Sequence, residues 1–398
     1  MGVPLPNNEV KVVITGMGAV SCLGWGVDAM WNGLVRGQCG IGPLTKVNPE
    51  PHRIKHAGQV PPLQGGVSHH DPAVQFLVHA CTEALGQAHL DSSLMPAVGL
   101  VLGTNFGAMQ ATERMFARSA AREDSNAAGM FADVATDLVA VHLGLGGTRS
   151  TISLSCASGN AAIGYAADLI RSGQASVVVA GGYDAISEVV WAGLSSLRAM
   201  SATAVLPFDK RRDGTIFSEG AGVVVLESEE SALTRGVRPL ARFLGYATSS
   251  NAFHMTHPDA DGAGMARAMR SALHDAGLMP EDIDHINAHG TGTPSNDRLE
   301  TMAIKAVFGP RACTIPINGI KSMLGHAMGA ASALEAIATV MTVREGLIPP
   351  TIGLEQPDPD CDLDYTPLKA RKATVRTALK NSAGFGGCNA SVILGGWG

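Results

Sequence analysis

Short apolar, β-branched runs alternate along the chain with longer segments in which apolar residues recur at helical spacing. The short runs predict strands at residues 12–16, 98–102, 151–154, 177–180, 222–227, 239–249, 283–288 and 390–394. The longer segments predict helices at residues 28–37, 71–90, 161–171, 263–276, 299–308 and 330–344. Several strands lead through a glycine-rich turn into the next helix, and that rhythm is typical of α/β proteins.

The same rhythm runs through both halves of the chain. It indicates an internal structural duplication, although no sequence repeat of fixed period is visible. A polar stretch at residues 229–236 separates the two halves. We therefore predict two units, residues 1–235 and 236–398.

Composition and charge exclude several classes of protein. Hydrophobic residues make up 45% of the 398 residues, so the chain is expected to fold. The net charge of −6 provides no basic field for nucleic acid. Only 16% of residues are charged, which favours surface hidden against a partner or a second copy of the chain. No apolar segment reaches the ~18 residues of a membrane span, so no membrane association is expected.

The cysteines and histidines argue against a disulfide framework and a metal centre. The seven cysteines are widely spaced and form no CxxC pair, which is typical of a reducing compartment and predicts a cytoplasmic protein. Two histidine pairs, His254 with His257 and His285 with His289, have metal-like spacings. Neither pair has nearby carboxylates or cysteines to complete a tetrahedral site, so we predict no metal.

Cys156 is the first candidate for chemistry. It lies in the sequence SCASG, between a predicted strand and a predicted helix. Helix N-termini favour the thiolate form of cysteine, and the small flanking residues leave room for a substrate. The alternative is a buried structural cysteine, which is the common fate of this residue type.

Three further motifs carry polar groups in glycine-rich surroundings. They are HGTGTP at residues 289–294, KSMLGH at residues 321–326 with Glu335 beyond it, and NSAGFGGCN at residues 381–389. Each alone is compatible with a glycine-rich turn. Turn chemistry does not explain why they occur together, in this order, after Cys156.

Together these motifs resemble those of the β-ketoacyl synthases, the condensing enzymes of fatty acid and polyketide synthesis in the thiolase-like superfamily. The resemblance covers nearly the whole chain, from VITGMG at residues 13–18 to NAS at residues 389–391, and includes residues 208–214 and 219–222. The spacing between His289 and His326 is more similar to the elongating synthase II type than to type I.

The resemblance implies a role for each motif residue. Cys156 would be the nucleophile, and its backbone N–H with that of Phe385 would form an oxyanion hole. His289 and His326 would stabilise an enolate. The remaining implied roles are a buried pair of Lys321 and Glu335, phosphopantetheine binding by Thr291 and Thr293, a gate at Phe385, and structural or cation-related acidic positions at Asp297 and Glu300.

The resemblance also implies the fold, the reaction and the partners. The expected fold is α/β, a thiolase-like five-layer αβαβα arrangement of two duplicated halves. The expected reaction is decarboxylative condensation of an acyl group on Cys156 with malonyl-acyl carrier protein, which extends the chain by two carbons. A homodimer with the strand before Cys156 near its two-fold axis, an acyl carrier protein partner and no organic cofactor or metal are implied as well.

Three residues depart from the family pattern. Ala383 stands where a second Phe is common, Cys388 replaces a common Thr, and Ser218 replaces a common Gly. The small side chain of Ala383 predicts a looser gate or a wider acyl pocket. The segment at residues 69–75 is more similar to polyketide-type relatives.

Four functions remain open on the sequence. The first is elongation in type II fatty acid synthesis, and the second is the same chemistry in a polyketide or polyene pathway, in which a heterodimer is also compatible. The third is a non-catalytic partner of the chain-length-factor kind, which the presence of Cys156 and both histidines disfavours. The fourth is thiolase-type or hydroxymethylglutaryl-type chemistry on coenzyme A, whose other catalytic triads disfavour it.

Overall fold

The computed structural model describes residues 10–63, 71–120, 132–254 and 259–397. His69 and His70 of the polyketide-like segment and His257 lie outside these residues. The helices are α1 (Val27–Val35), α2 (Pro72–Gln87), α3 (Met109–Ala120), α4 (Val134–Leu143), α5 (Ser158–Arg171), α6 (Glu188–Ser196), α7 (Glu229–Thr234), α8 (Ala263–Ala276), α9 (Pro294–Phe308), α10 (Lys321–Leu324) and α11 (Ala331–Glu345).

Fifteen strands are found within the described residues. They are β1 (Val12–Ser21), β2 (Gly24–Trp25), β3 (Ile41–Pro43), β4 (His56–Gly58), β5 (Gly99–Gly103), β6 (Arg149–Ile152), β7 (Val177–Asp184), β8 (Gly220–Ser228), β9 (Ala241–Ser250), β10 (His285–Asn287), β11 (Ile317–Asn318), β12 (Leu347–Ile348), β13 (Arg371–Lys372), β14 (Thr377–Gly384) and β15 (Cys388–Gly396).

Apart from β2, which pairs with β1, the main sheet consists of two five-stranded sets with the same topology. The first set runs β1-β8-β7-β5-β6 and the second runs β9-β15-β14-β10-β11. In each set the first two pairings are antiparallel and the last two are parallel. A short antiparallel pairing of β1 with β9 joins the sets. This correspondence confirms the duplicated halves. The boundary at residues 235/236 stays a prediction and falls between α7 and β9.

The helices form three layers around these two sets. α5 and α11 pack against each other and contact strands of both sets, so they occupy the centre. α2 and α4 lie against the first set, and α8 lies against the second with α9 beside it. The order is therefore α, β, α, β, α, which confirms the predicted five-layer fold. α11 is buried on every side from Ala331 to Val343, as expected for a helix between two sheets.

The structure differs from the predicted elements in ways that affect the site. Strand β1 continues to Ser21 because its glycines and alanines are buried in the sheet rather than turning the chain. Strand β6 is Arg149–Ile152, shifted from the predicted 151–154, because residues 154–158 form a tight turn instead. Helix α9 starts at Pro294 rather than at the predicted residue 299. Proline is favoured in the first turn of a helix, because the N–H groups there have no partner within the helix and proline has no N–H.

None of the helices in the described ranges is both long and apolar enough to span a bilayer.

Candidate active site

Cys156 lies in a tight turn between β6 and α5. Ser155, just before it, has a positive φ of 49°, which is unusual for a residue other than glycine. The turn is closed by the Ser158 hydroxyl, which accepts from the Leu154 N–H at 2.8 Å and donates to the Ser155 carbonyl at 2.6 Å. The strained conformation is therefore fixed by hydrogen bonds, and it holds the thiol at the start of α5.

The turn between β14 and β15 packs directly against this nucleophile turn. The Ser155 hydroxyl donates to the Phe385 carbonyl at 2.9 Å. A Cβ atom on Gly384 would lie 2.7 Å from the Ser155 Cβ and 3.0 Å from the Cys156 amide nitrogen, so only glycine fits. The backbone amide of Phe385 lies near the Cys156 sulfur and acts to lower the pKa of the thiol. The amides of Cys156 and Phe385 are thus neighbours, and the Phe385 side chain remains 38% exposed.

The Cys156 thiol is neutral in the resting structure. Burial raises its pKa to about 12, against the lowering effect of the Lys321 charge, while Asp184 and Glu335 raise it further. The sequence-based expectation that the helix N-terminus would stabilise the thiolate is therefore wrong for this resting state. Loss of water around a buried thiol outweighs the attraction of nearby positive groups.

His289 and His326 are brought together from two different loops. His289 follows β10 and His326 follows α10, and each is 3% exposed. Their ring centroids lie 5.5 Å apart with the planes at 84°. Burial, followed by the Lys321 charge, lowers the pKa of both imidazoles well below 6.5. Both rings are therefore neutral at physiological pH.

The hydrogen-bond partners assign the proton position in each ring. The Nδ1 atom of His326 accepts from the Met328 N–H at 3.2 Å, and the Nδ1 atom of His289 lies 3.2 Å from the Lys321 ammonium. A backbone N–H and an ammonium group only donate. Each neutral ring therefore carries its proton on Nε2, which leaves two N–H donors for a substrate oxygen.

Lys321 and Glu335 form the predicted buried pair. The Lys321 ammonium lies 2.5 Å from a Glu335 carboxylate oxygen and also donates to the His289 carbonyl at 2.7 Å. The other Glu335 oxygen lies 2.9 Å from the ammonium of Lys380, which sequence reasoning missed. Burial lowers the pKa of Lys380 to about 8. A lysine that directly follows Ala378 and Leu379 was the available signal.

Glu300 and Asp297 hold the HGTGTP loop in place. The Glu300 carboxylate accepts from the N–H groups of His289 at 2.7 Å and Gly290 at 2.9 Å. Asp297 accepts from the N–H groups of Gly292 at 3.2 Å and Phe208 at 2.8 Å, and burial raises its pKa to about 6. These bonds indicate that both carboxylates position the loop that carries His289.

Thr291 and Thr293 lie on the same loop, with their hydroxyl oxygens 3.0 Å apart. Thr291 is buried and Thr293 is half-buried. Their predicted role in binding phosphopantetheine stays a prediction.

Asp184 is a second buried charge that sequence reasoning missed. It ends β7 and accepts from the Thr104 hydroxyl at 2.6 Å and the Gly329 N–H at 2.7 Å. Burial raises its pKa to about 6. It therefore joins the end of β5 to the segment that follows His326. An aspartate at the end of a wholly apolar strand was its sequence signal.

The three departures from the family pattern lie in different surroundings. Ala383 is buried in an apolar cluster with Phe208 and Ile393. Cys388 is half-buried and begins β15 opposite Gly384. The Ser218 N–H donates to the His326 carbonyl at 2.9 Å, so this residue helps to position the histidine loop.

Within the described ranges, no three histidine, cysteine, aspartate or glutamate side chains are grouped in a way that would hold a metal ion. His285 is buried, and its Nδ1 atom lies 2.9 Å from the Pro316 carbonyl. His289 belongs to the site with His326. The two members of this pair therefore have separate surroundings.

Comparisons with known proteins identify the family of this chain. Residues 9–232 match the family described as beta-ketoacyl synthase, N-terminal domain, and residues 240–355 match its C-terminal domain. A 3-oxoacyl-[acyl-carrier-protein] synthase 2 of Synechocystis sp. is 38% identical, over 98% of this chain and 99% of the relative.

Two solved structures have a similar fold. The ishigamide ketosynthase/chain length factor has a TM-score of 0.92 and 38% identity, over 98% of this chain and 100% of that chain. A type II polyketide ketosynthase, solved in complex with its acyl-carrier protein, has a TM-score of 0.89 and 34% identity, also over 98% and 100%. This chain belongs to the β-ketoacyl synthase family.

Proposed function

We propose that this chain is a β-ketoacyl-[acyl carrier protein] synthase of type II fatty acid synthesis, which joins an acyl group held on Cys156 to the two-carbon unit of a malonyl carrier thioester. The observation that carries the proposal is a buried thiol and two neutral imidazoles that both present an Nε2–H, all three within reach of the Lys321 charge. A thiol can hold the acyl group, and two donors can stabilise a developing oxyanion.

The first half-reaction transfers the acyl group to the enzyme. The Cys156 sulfur attacks the thioester carbonyl, the bond from that carbonyl to the carrier's sulfur breaks, and the thiol proton leaves with the carrier's thiol. The negative charge that develops on the carbonyl oxygen is stabilised by the amides of Cys156 and Phe385. Such donors are each worth about 3 kcal/mol where charge develops.

The second half-reaction forms the new carbon–carbon bond. The malonyl carboxylate leaves as CO₂, and the electron pair of the broken bond forms an enolate whose oxygen accepts from His289 and His326. The enolate carbon then attacks the acyl-Cys156 carbonyl, and the Cys156 thiolate departs and takes a proton from solvent. The proposal requires no metal or organic cofactor, because thioester cleavage and release of CO₂ drive the reaction.

We also propose an acyl carrier protein as the partner, a homodimer as the working unit and the cytoplasm as its location. The carrier is supported by the name of the Synechocystis relative and by the polyketide ketosynthase solved with its carrier. The dimer is supported by the position of β6 at the outer edge of its set, and by exposed apolar side chains on the adjacent α4. Seven free cysteines support a reducing compartment.

The proposal is tested by incubating the enzyme with an acyl carrier thioester and malonyl carrier protein and weighing the carrier-bound product. We expect a β-ketoacyl thioester two carbons longer with the wild type and none with Cys156→Ala. A folded wild-type protein that yields no extended product with any saturated acyl chain would contradict the proposal.

A second candidate is the ketosynthase of a type II polyketide or polyene pathway. It is favoured by the ishigamide ketosynthase/chain length factor, whose identity to this chain equals that of the Synechocystis relative. A panel of acyl groups distinguishes the two functions. Repeated extension of an unreduced β-ketoacyl or polyene chain would favour the polyketide reading, whereas a preference for saturated chains supports fatty acid elongation.

A further inference from the structure

Two thiols outside the proposed reaction lie against the same short helix, α10. The Cys22 sulfur lies 3.2 Å from the carbonyl oxygen of Leu324, and the Cys39 sulfur lies 3.8 Å from that of Ser322. The backbone N–H of Gly40 donates to the intervening carbonyl, that of Met323, at 2.8 Å. The carbonyls of residues 322–324 thus all accept from Cys22 or from the Cys39 segment.

The two cysteines are close neighbours although they are separated along the chain. A Cβ atom on Gly40 would lie 2.5 Å from the Cys22 sulfur, so the backbone beside Cys39 touches that thiol. Burial raises the pKa of Cys22 above its usual range, and the neighbouring Cys39 raises it further. The structure therefore brings two free thiols to the same short stretch of backbone, residues 322–324.

Cys39 is the more exposed of the two thiols. Cys39 is exposed and lines a cavity of about 150 Å³, which also has His56 and Ser322 on its wall. Cys22 is partly buried behind it. A disulfide reagent therefore reaches Cys39 first, and Cys22 is placed to attack the product.

We propose that Cys22 and Cys39 are a redox-responsive dithiol that controls the catalytic helix α10. A low-molecular-weight disulfide of the glutathione type is the oxidant. Cys39 attacks it, which forms a mixed disulfide and releases one reduced thiol. Cys22 then attacks the Cys39 sulfur, which forms the Cys22–Cys39 disulfide and releases the second reduced thiol. The two protein thiols are oxidised and the reagent is reduced.

Disulfide formation alters the support of the catalytic groups. Both sulfurs lose the protons with which they donate to the carbonyls of α10. That helix begins at Lys321, which contacts His289, and leads through Gly325 to His326. The oxidised enzyme therefore condenses more slowly, and a reducing agent restores the rate.

The cross-link is tested by mass in the Cys156→Ala variant, so that the nucleophile does not contribute. After treatment with glutathione disulfide we expect a loss of two hydrogen atoms and a peptide that joins Cys22 to Cys39. Adding Cys22→Ser should instead trap glutathione on Cys39. Adding Cys313→Ser, which removes another exposed thiol, should leave the cross-link unchanged. Absence of the cross-linked peptide would overturn the proposal.

The control of α10 is tested by measuring the rate of condensation in protein that retains Cys156. This part of the test rests on the proposed function. We expect oxidation to slow condensation about tenfold, reversibly, in the wild type and in Cys313→Ser, because hydrogen bonds that position reacting groups are lost. Cys39→Ser should keep its rate. Equal slowing of Cys39→Ser would overturn the control of α10. If the reduced enzyme shows no condensation at all, the proposed function is contradicted instead. The mass of the cross-linked peptide then still decides whether Cys22 and Cys39 form a disulfide.

Discussion

At the scale of single residues, the site depends on protonation states that burial sets. His289 and His326 are neutral because they are buried beside a lysine, and each has its Nδ1 atom occupied by a donor. The Cys156 thiol is protonated because burial raises its pKa. The resting site therefore presents neutral groups whose hydrogen-bond donors become effective when a substrate oxygen gains charge.

Replacing His326 by Ala should separate the two half-reactions. We expect decarboxylation of the malonyl thioester to fall about 10²–10³-fold, because one oxyanion donor is removed. Acylation of Cys156 should change much less, because its oxyanion donors are backbone amides. Release of CO₂ and protein acylation are measured separately, with His274→Ala on the exposed face of α8 as the matched control. Equal losses in both half-reactions would contradict the assignment.

The pH dependence of decarboxylation should report the two imidazoles. Protonation leaves each Nε2–H donor in place but occupies Nδ1, so the contacts of Nδ1 with the Met328 N–H and the Lys321 ammonium, which orient the rings, are lost. The pKa values of both imidazoles lie well below 6.5, so this happens only far below that pH. We expect a rate that is flat between about pH 6.5 and 8 and an acid limb at lower pH. Lys321→Met removes a positive charge that lowers both pKa values, so its acid limb should move to higher pH. A limb at the wild-type position in Lys321→Met would argue against this coupling.

At the scale of elements, catalysis depends on two turns that touch. The nucleophile turn between β6 and α5 is held by Ser158, and the turn after β14 closes over it at Gly384. The two turns come from opposite halves of the duplicated fold. The oxyanion hole proposed here is therefore formed only when both halves are packed together.

Gly384→Ala should damage this contact. Its Cβ would lie 2.7 Å from the Ser155 Cβ, which forces one turn to move. We expect slow acylation of Cys156 and a folded protein, measured by intact mass over time and by thermal unfolding. Gly386→Ala is the control, because it lies in the same turn and its Cβ would meet nothing within 4 Å. Its positive φ of 82° adds a backbone strain that Gly384, with a φ of −139°, does not have, so the control errs on the side of greater damage. Equal acylation of the two variants would be inconsistent with the clash.

The sequence predicts the motifs of this site better than the network that supports them. Periodicity and glycine-rich turns identify most strands, and the four motifs identify Cys156 and both histidines. Lys380 and Asp184 were missed, because their sequence signal, a charge beside apolar residues, does not reveal the partner that each meets across the fold. The pKa of Cys156 was misjudged for a related reason, since local sequence shows the helix N-terminus but not the depth of burial.

At the scale of the whole molecule, the outer edge of the first set of strands lies beside an exposed apolar surface. Strand β6 ends the first set, and the neighbouring α4 exposes Leu138 and Val141, the latter by 72%. Within the described residues β6 is paired on one side only, and an apolar surface beside such an edge is a suitable contact for a second copy. Because β6 leads into the nucleophile turn, the proposed dimer would also stabilise the position of Cys156.

Val141→Glu tests the proposed dimer. A charge at the centre of an apolar contact is costly when it is buried without a partner, so we expect a monomer at concentrations where the wild type is a dimer. Light scattering after size-exclusion chromatography gives the mass. Val189→Glu, on the exposed face of α6, is a matched control and should leave the mass unchanged. A wild-type monomer, or a dimeric Val141→Glu, would contradict this interface.

The most direct test of the central claim is the intact mass of the protein through one reaction cycle. An acyl carrier thioester is added first, and malonyl carrier protein is added after the excess has been removed. We predict that the protein gains one acyl group on Cys156, loses it when the malonyl thioester arrives, and leaves a β-ketoacyl carrier two carbons longer. A protein that never gains the acyl group, or gains it at another residue, would contradict the account.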